Sequence, residues 1–289
     1  MNFKIGVLSD SFRLPPMEGI RKAKELGADG FQVYVVDGPL APEVMTARDR
    51  QEFRRFCRNL SIEPFALCGD LGGHGFERAE ENPAKIERSC RIVDLAVDFG
   101  CSVVTTHIGV IPEDPSDPRY RTMKEACRRL GAYAAPRGVT FAIETGPEPA
   151  TVLRRFLDDL AQPGLGVNLD PANLVMVIGE DPVAAVASLG PYLVHTHAKD
   201  GRQLQPCNPR EVYGAFADGG FAALEQRMGK LFIETPLGEG AVPWAAYLRA
   251  LERAGFSGAL TIEREVGADP EADIRRAVTF LRRLIGRRD

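Results

Sequence analysis

Four short apolar runs in the chain each end on a side chain that can bind a cation or move a proton. They are Phe141-Ala142-Ile143-Glu144, Val167-Asn168-Leu169-Asp170, Val194-His195-Thr196-His197 and Leu260-Thr261-Ile262-Glu263. If these runs are adjacent strands, three carboxylates and an imidazole meet at one rim. Carboxylates brought together out of water cannot all stay ionised unless a cation sits among them. One divalent metal ion held by Glu144, Asp170, His197 and Glu263 resolves that conflict. Three oxygens and one imidazole suit Mn²⁺, Mg²⁺ or Co²⁺, and Zn²⁺ is compatible, whereas a sulfur-loving ion is not. The bland alternative is local neutralisation by arginine, with Arg264 beside Glu263 and Arg154 and Arg155 downstream of Glu144. The recurrence on four successive runs favours the metal.

The elements needed to hold such a rim are written along the whole chain. Apolar or β-branched runs at Lys4–Leu8, Phe31–Val35, Ile62–Cys68, Ser102–His107, Val139–Glu144, Gly166–Asp170, Leu193–Ala198 and Ala259–Glu263 read as strands. They are continuous rather than alternating, as in parallel strands covered on both sides by helices. Amphipathic stretches fill the gaps, for example Ile274, Ala277, Val278, Leu281 and Ile285 on one helical stripe. Asn82-Pro83, Asp117-Pro118, Asp181-Pro182 and Asp269-Pro270 each place an Asx cap before a first-turn proline. Gly27, Gly100, Gly138, Gly190 and Gly255 stand where a helix must end before the next strand. Strand, cap, helix and glycine, repeated about eight times, spell an α/β chain folded as a (β/α)8 TIM barrel over residues 1–289, a single domain. An open doubly wound sheet is the rival, but the first turn, Ser9-Asp10-Ser11-Phe12-Arg13, has no glycine. The one irregular stretch, 201–234, follows the seventh strand and is long enough to fold over the site.

In such a barrel the C-terminal strand ends carry the chemistry. His195 and His197 share strand parity. His197, nearer the end, is taken as the ligand and His195 as an interior histidine, with Asn168 a layer below Asp170. His107 faces the mouth as a substrate contact or a structural histidine. Lys199 and Arg202 follow the seventh strand, where barrels often hold phosphate, although solvation explains both equally. The loop Gly69–Gly75 fits neither G-x-G-x-x-G nor a P-loop, and His74 within it reads as a mobile loop residue.

Composition narrows the class. The 289 residues are 44% hydrophobic and 26% charged, with 36 basic against 40 acidic residues and a net charge of -4. That balance argues against nucleic acid or anionic membrane as a partner. No apolar run spans a bilayer, and the N-terminus lacks a signal-peptide core, so a cytoplasmic protein is expected. Its six scattered cysteines, with no C-x-x-C, read as reduced and mostly buried thiols.

Ala142-Ile143-Glu144, Asn168-Leu169-Asp170-Pro171-Ala172-Asn173, His197-Ala198-Lys199-Asp200, Pro236-Leu237-Gly238-Glu239-Gly240 and Gly258–Glu263 occur in a characteristic order. In these segments the sequence resembles the sugar phosphate isomerase/epimerase superfamily with its xylose-isomerase-like barrel. The resemblance implies a metal on Glu144, Asp170, His197 and Glu263, with Glu144 and Glu263 also serving as acid and base. It implies a small sugar or sugar derivative as partner, and leaves self-association open; from their places at the strand ends, His107, Asn173, Lys199 and Arg202 are the expected contacts. In the ketohexose 3-epimerase branch a histidine usually stands three residues after the aspartate; Asn173 stands there instead. The residues suit the chemistry, because an enediolate formed next to a carbonyl needs its oxyanion stabilised and its proton handled by a placed base. The expected function is therefore a metal-dependent sugar isomerase or epimerase. A dehydratase of a keto-polyol and a non-catalytic sugar-binding barrel are the alternatives, and an endonuclease IV-type nuclease is disfavoured by the few histidines and the acidic balance.

Overall fold

The continuous apolar runs become parallel strands buried on both faces. In the computed structural model, which describes residues 2–286, the strands are β1 (Lys4–Leu8), β2 (Gly30–Tyr34), β3 (Glu63–Cys68), β4 (Val103–Thr106), β5 (Thr140–Glu144), β6 (Leu165–Leu169), β7 (Leu193–Ala198), β8 (Asp200–Gln203), β9 (Phe232–Thr235) and β10 (Ala259–Ile262). Eight of them close a barrel in the order β1-β10-β7-β6-β5-β4-β3-β2, with β8 and β9 forming a separate two-stranded ribbon. The barrel strands lie within one residue of the runs read from the sequence, and the eight-stranded parallel closure is the (β/α)8 fold expected. Met1 and residues 287–289, the ends of the expected 1–289 span, lie outside the described residues.

Helix boundaries follow the Asx-Pro punctuation at three of four places. Asp117, Asp181 and Asp269 accept hydrogen bonds from the backbone N–H groups of Arg119, Val183 and Ala272, removing donors that a helix start leaves unpaired. Asn82 differs. It lies inside the first turn of the helix Asn82–Phe99, and its amide donates to the Phe76 carbonyl instead of capping. Of the glycines expected to end helices, Gly190 alone has a right-handed backbone, because the chain continues there into a short turn of 3-10 helix, Gly190–Tyr192. All six cysteines are free, and four of them are buried. Among the described residues no single helix is long and apolar enough to cross a membrane.

The irregular stretch after β7 is a ribbon carrying two helices, Pro209–Ala217 and Phe221–Met228, between β8 and β9. Asp200 fastens its base. Its carboxylate is buried and accepts from the N–H groups of Gly201, Gly238 and Val242 and from the indole of Trp244, at 2.9–3.1 Å. Asp200→Ala leaves four donors without their acceptor, three of them on the buried residues Gly201, Val242 and Trp244, and each unsatisfied buried group costs about 1–3 kcal/mol. A loss of at least about 3 kcal/mol in urea unfolding is therefore expected; a loss under 1 kcal/mol would mean this hub does not hold the ribbon.

Candidate active site and metal centre

Strand register brings the four strand-end residues together. Glu144 ends β5 and pairs with Asn168 on β6, Asp170 follows β6, His197 on β7 pairs with Thr261 on β10, and Glu263 follows β10. One ligand atom from each of Glu144, Asp170, His197 and Glu263 lies within 4.8 Å of the others, an arrangement that could hold a metal ion. His197 Nδ1 is the hub, 3.1 Å from Glu263 Oε2, 3.3 Å from Asp170 Oδ2 and 3.5 Å from Glu144 Oε1. All four residues are buried, none more than 7% exposed.

Neighbouring groups fix which atoms face inward. Asp170 Oδ1 accepts from the N–H groups of Ala172 and Asn173 at the start of the following short helix, so Oδ2 is left for a cation. Gln32 on β2 donates through Nε2 to Thr105 Oγ1 at 2.8 Å, which turns its Oε1 toward His197 Nε2 at 3.0 Å. An acceptor there keeps the proton on Nε2 and leaves the Nδ1 lone pair pointing at the carboxylates, the usual way an outer partner sets a ligand histidine. Asn168 and Asn173 donate to the two oxygens of Glu144, at 3.0 and 3.2 Å. Both contacts fix the orientation of its carboxyl group.

The electrostatics ask for a cation. Burial alone would lower the pKa of His197, but Glu263 and Glu144 outweigh it and raise the pKa well above the usual histidine range. The field that holds a proton on Nδ1 is the field that would hold a divalent ion. Burial pushes Asp170 up, while Lys199 and His197 overcome burial at Glu263 and hold its carboxyl well below the ordinary range. Glu263 Oε2 is buried and makes no hydrogen bond, although the Lys199 ammonium is 3.2 Å away. An orphaned carboxylate oxygen inside an O, O, N, O donor set fits Mn²⁺, Mg²⁺ or Co²⁺.

The remaining expectations divide. His195 lies one layer below, 3.2 Å from Gln32 Oε1, and burial drops its pKa to about 3, so it is a neutral interior histidine as read from strand parity. His107 does line the cavity. Its Nδ1 meets Asp70 Oδ2 at 3.1 Å, while Nε2 is buried without a hydrogen bond 3.8 Å from Glu144. Burial works against protonation, but Glu144 and Asp70 prevail and push His107 up to about 9. Lys199 lines the cavity too, yet its ammonium is committed to Glu263 and Glu265. Arg202 is a correction. It lies on β8 with an exposed side chain bonded to the Glu239 carbonyl and does not line the cavity, because the ribbon turns outward there. His74 is tethered to Asp218, 2.9 Å away, rather than free.

The cavity holds about 280 Å³ and is roofed by the ribbon, with Tyr213, Phe216 and Phe232 along its wall. Gly146 makes room for that roof. A Cβ there would stand 2.2 Å from Tyr213 Oη and 2.7 Å from Asn173 Cβ, at a φ of +141. Gly146→Ala is expected to cost about 1–3 kcal/mol from overpacking and backbone strain and to lift Tyr213. Urea midpoints and Tyr213 ring NMR shifts check this; a wild-type midpoint with unmoved shifts would contradict it. Gln32, Asp70 and Tyr213 were not singled out from the sequence. Gln32 alone left a trace there, as a polar residue inside the apolar run Phe31–Val35.

The molecule is thus a closed parallel barrel with an acidic, one-histidine cluster at its C-terminal rim that could hold a metal ion. The family model for the xylose isomerase-like TIM barrel matches residues 20–284, and the chain belongs to that family. It is 28% identical to the Bacillus subtilis (strain 168) protein YfiH, over 98% of this chain and 99% of the other. The crystal structure of a xylose isomerase domain protein from Planctomyces limnophilus is 28% identical, with a TM-score of 0.79, covering 98% and 96% of the two chains. D-psicose 3-epimerase, crystallised in the presence of D-fructose, shares the fold with a TM-score of 0.73 at 17% identity, over 98% of this chain and all (100%) of its own. The same fold serves a probable 3-DHS dehydratase.

Proposed function

We propose that the protein is a divalent-metal-dependent sugar isomerase or epimerase that acts through an enediolate, with Glu144 and Glu263 as its proton-transfer groups. The observation that carries this reading is the placement of the two glutamates. They stand on β5 and after β10, separated around the barrel by β6 and β7, with Asp170 and His197 between them. Glutamates approaching from two sides suit epimerisation, in which one removes a proton and the other returns it to the opposite face.

When bound, the metal supplies charge stabilisation for an oxyanion next to the reacting carbon. The chain does the rest. Lys199 holds Glu263 as a carboxylate ready to accept a proton, and the Asn168 and Asn173 amides orient Glu144 toward the cavity. Asp170 and His197 would hold the ion, leaving proton transfer to the two glutamates. His107 and Lys199 present polar atoms to the sugar's oxygens, and Tyr213, Phe216 and Phe232 wall the cavity beside them. Asn173, which props Glu144, lines the cavity as well.

A dehydratase is the second reading, favoured by the Asp70–His107 pair beside Glu144, which could protonate a leaving hydroxyl. Incubating the metal-loaded protein in D₂O with a panel of ketoses and keto-polyols tests both. Solvent deuterium beside the carbonyl with a stereoisomeric product supports the epimerase, and loss of water supports the dehydratase. No exchange with any member would leave only a binding role.

A further inference from the structure

The outer wall of the cavity differs in character from its acidic floor. Tyr213, Phe216 and Ala217 fall at i, i+3 and i+4 on the helix Pro209–Ala217, so one helix face looks into the cavity. Phe232 of β9 joins them. The rings run in series: His107 to Tyr213 at 5.7 Å, Tyr213 to Phe216 at 6.3 Å, Phe216 stacked on Phe221 at 4.2 Å, and Phe221 to Phe232 at 5.6 Å. Phe216 is 49% exposed at the mouth although Phe221 clamps it from behind. An exposed ring already held by a stacked neighbour loses little freedom when a ligand covers its other face.

Charge gives the second observation. Asp70, Glu144, Glu263 and Glu265 line the cavity, and the cations among them are spoken for: Lys199 by Glu263 and Glu265, His107 by Asp70. Among the described residues no arginine lines it. A phosphate or carboxylate entering there would lose its water and find no uncommitted side-chain cation, and a divalent ion in the cluster would already be outweighed by the three carboxylates of Glu144, Asp170 and Glu263. The cavity, about 280 Å³, is at the low end of small-molecule sites, so one sugar fills it and anything larger must extend over the mouth.

From these observations we infer that the substrate is an uncharged keto-sugar derivative bearing a second ring or apolar group in glycosidic linkage, which stacks on Phe216 while the carbonyl-bearing sugar reaches Glu144 and Glu263. This rests on the enzymatic reading above for the sugar's orientation, but the stacking surface is testable alone. Calorimetric titrations of the metal-loaded protein would use methyl β-D-glucoside, phenyl β-D-glucoside, D-glucose and D-glucose 6-phosphate. The phenyl compound is expected to bind about three- to tenfold tighter than the methyl one, the size of an aromatic contact, and the phosphate more weakly than glucose. Phe216→Ala should abolish the phenyl advantage and Phe216→Tyr should keep it. Equal phenyl and methyl affinities, an unchanged advantage in Phe216→Ala, tighter binding of the phosphate, or no binding of any probe at millimolar concentration overturns the proposal. If the Phe216-dependent preference is found but no sugar exchanges its proton in D₂O, the enzymatic reading fails and the uncharged, stacked ligand stands.

Discussion

Glu144→Gln and Glu263→Gln are each expected to lose about two to four orders of magnitude in turnover, the usual scale of a missing general acid or base. Glutamine retains an oxygen that can face the metal, so the variants should still bind the ion with modest weakening. This separates a proton-transfer role from a purely structural one, in which metal binding and activity would fall together. The two variants should also differ from one another. Where one glutamate removes the proton and the other returns it, one mutant can still exchange the substrate proton with D₂O while failing to make the epimer. Wild-type turnover in both single variants would refute the two-glutamate mechanism.

The second large effect is on metal dependence and stability. The four-residue cluster predicts that the protein purifies with about one divalent ion, that chelation abolishes turnover, and that Mn²⁺ or Co²⁺ restores it. Binding to the folded state alone contributes about 4 kcal/mol at a thousandfold excess over Kd, so loading the metal should raise the unfolding temperature by several degrees. Asp170→Asn keeps an oxygen to cap the following helix but removes a negative ligand. Its metal affinity should fall by more than the roughly 10–100-fold cost of losing a supporting partner. An Asp170→Asn protein with wild-type metal affinity and an unchanged thermal shift would remove this residue from the ligand set.

Much of this was legible in the chain because a parallel barrel writes itself as repetition. Each strand is an apolar run, so a lone Glu, Asp or His at its end stands out; shared parity turned His195 and His197 to one face, and nearness to the strand end put His197 in the cluster and His195 beneath it. What escaped depends on distant contacts. The ribbon strands Asp200–Gln203 and Phe232–Thr235 are short, and the first contains no β-branched residue. Their pairing is set by Asp200 and its partners 38 to 44 residues away. Arg202 looked like a phosphate ligand from its place after β7, yet the ribbon carries it to the outside. Lys199, expected as a substrate contact, does line the cavity, but sequence order does not show that Glu263 and Glu265 both hold its ammonium. Tyr213 and Phe216 sit in a stretch with no distinguishing pattern, and only the folding of that stretch over the barrel brings them to the site.

The central claim is that Glu144, Asp170, His197 and Glu263 hold one ion beside which substrate is turned over. An anomalous-scattering map from crystals grown with Mn²⁺ and soaked with a sugar substrate tests it most directly. The account predicts a single strong peak bounded by the Glu144 and Glu263 carboxylates, Asp170 Oδ2 and His197 Nδ1, with the sugar lying between the two glutamates. A peak elsewhere, or a sugar bound in the cavity with no ion among these four side chains, would contradict it.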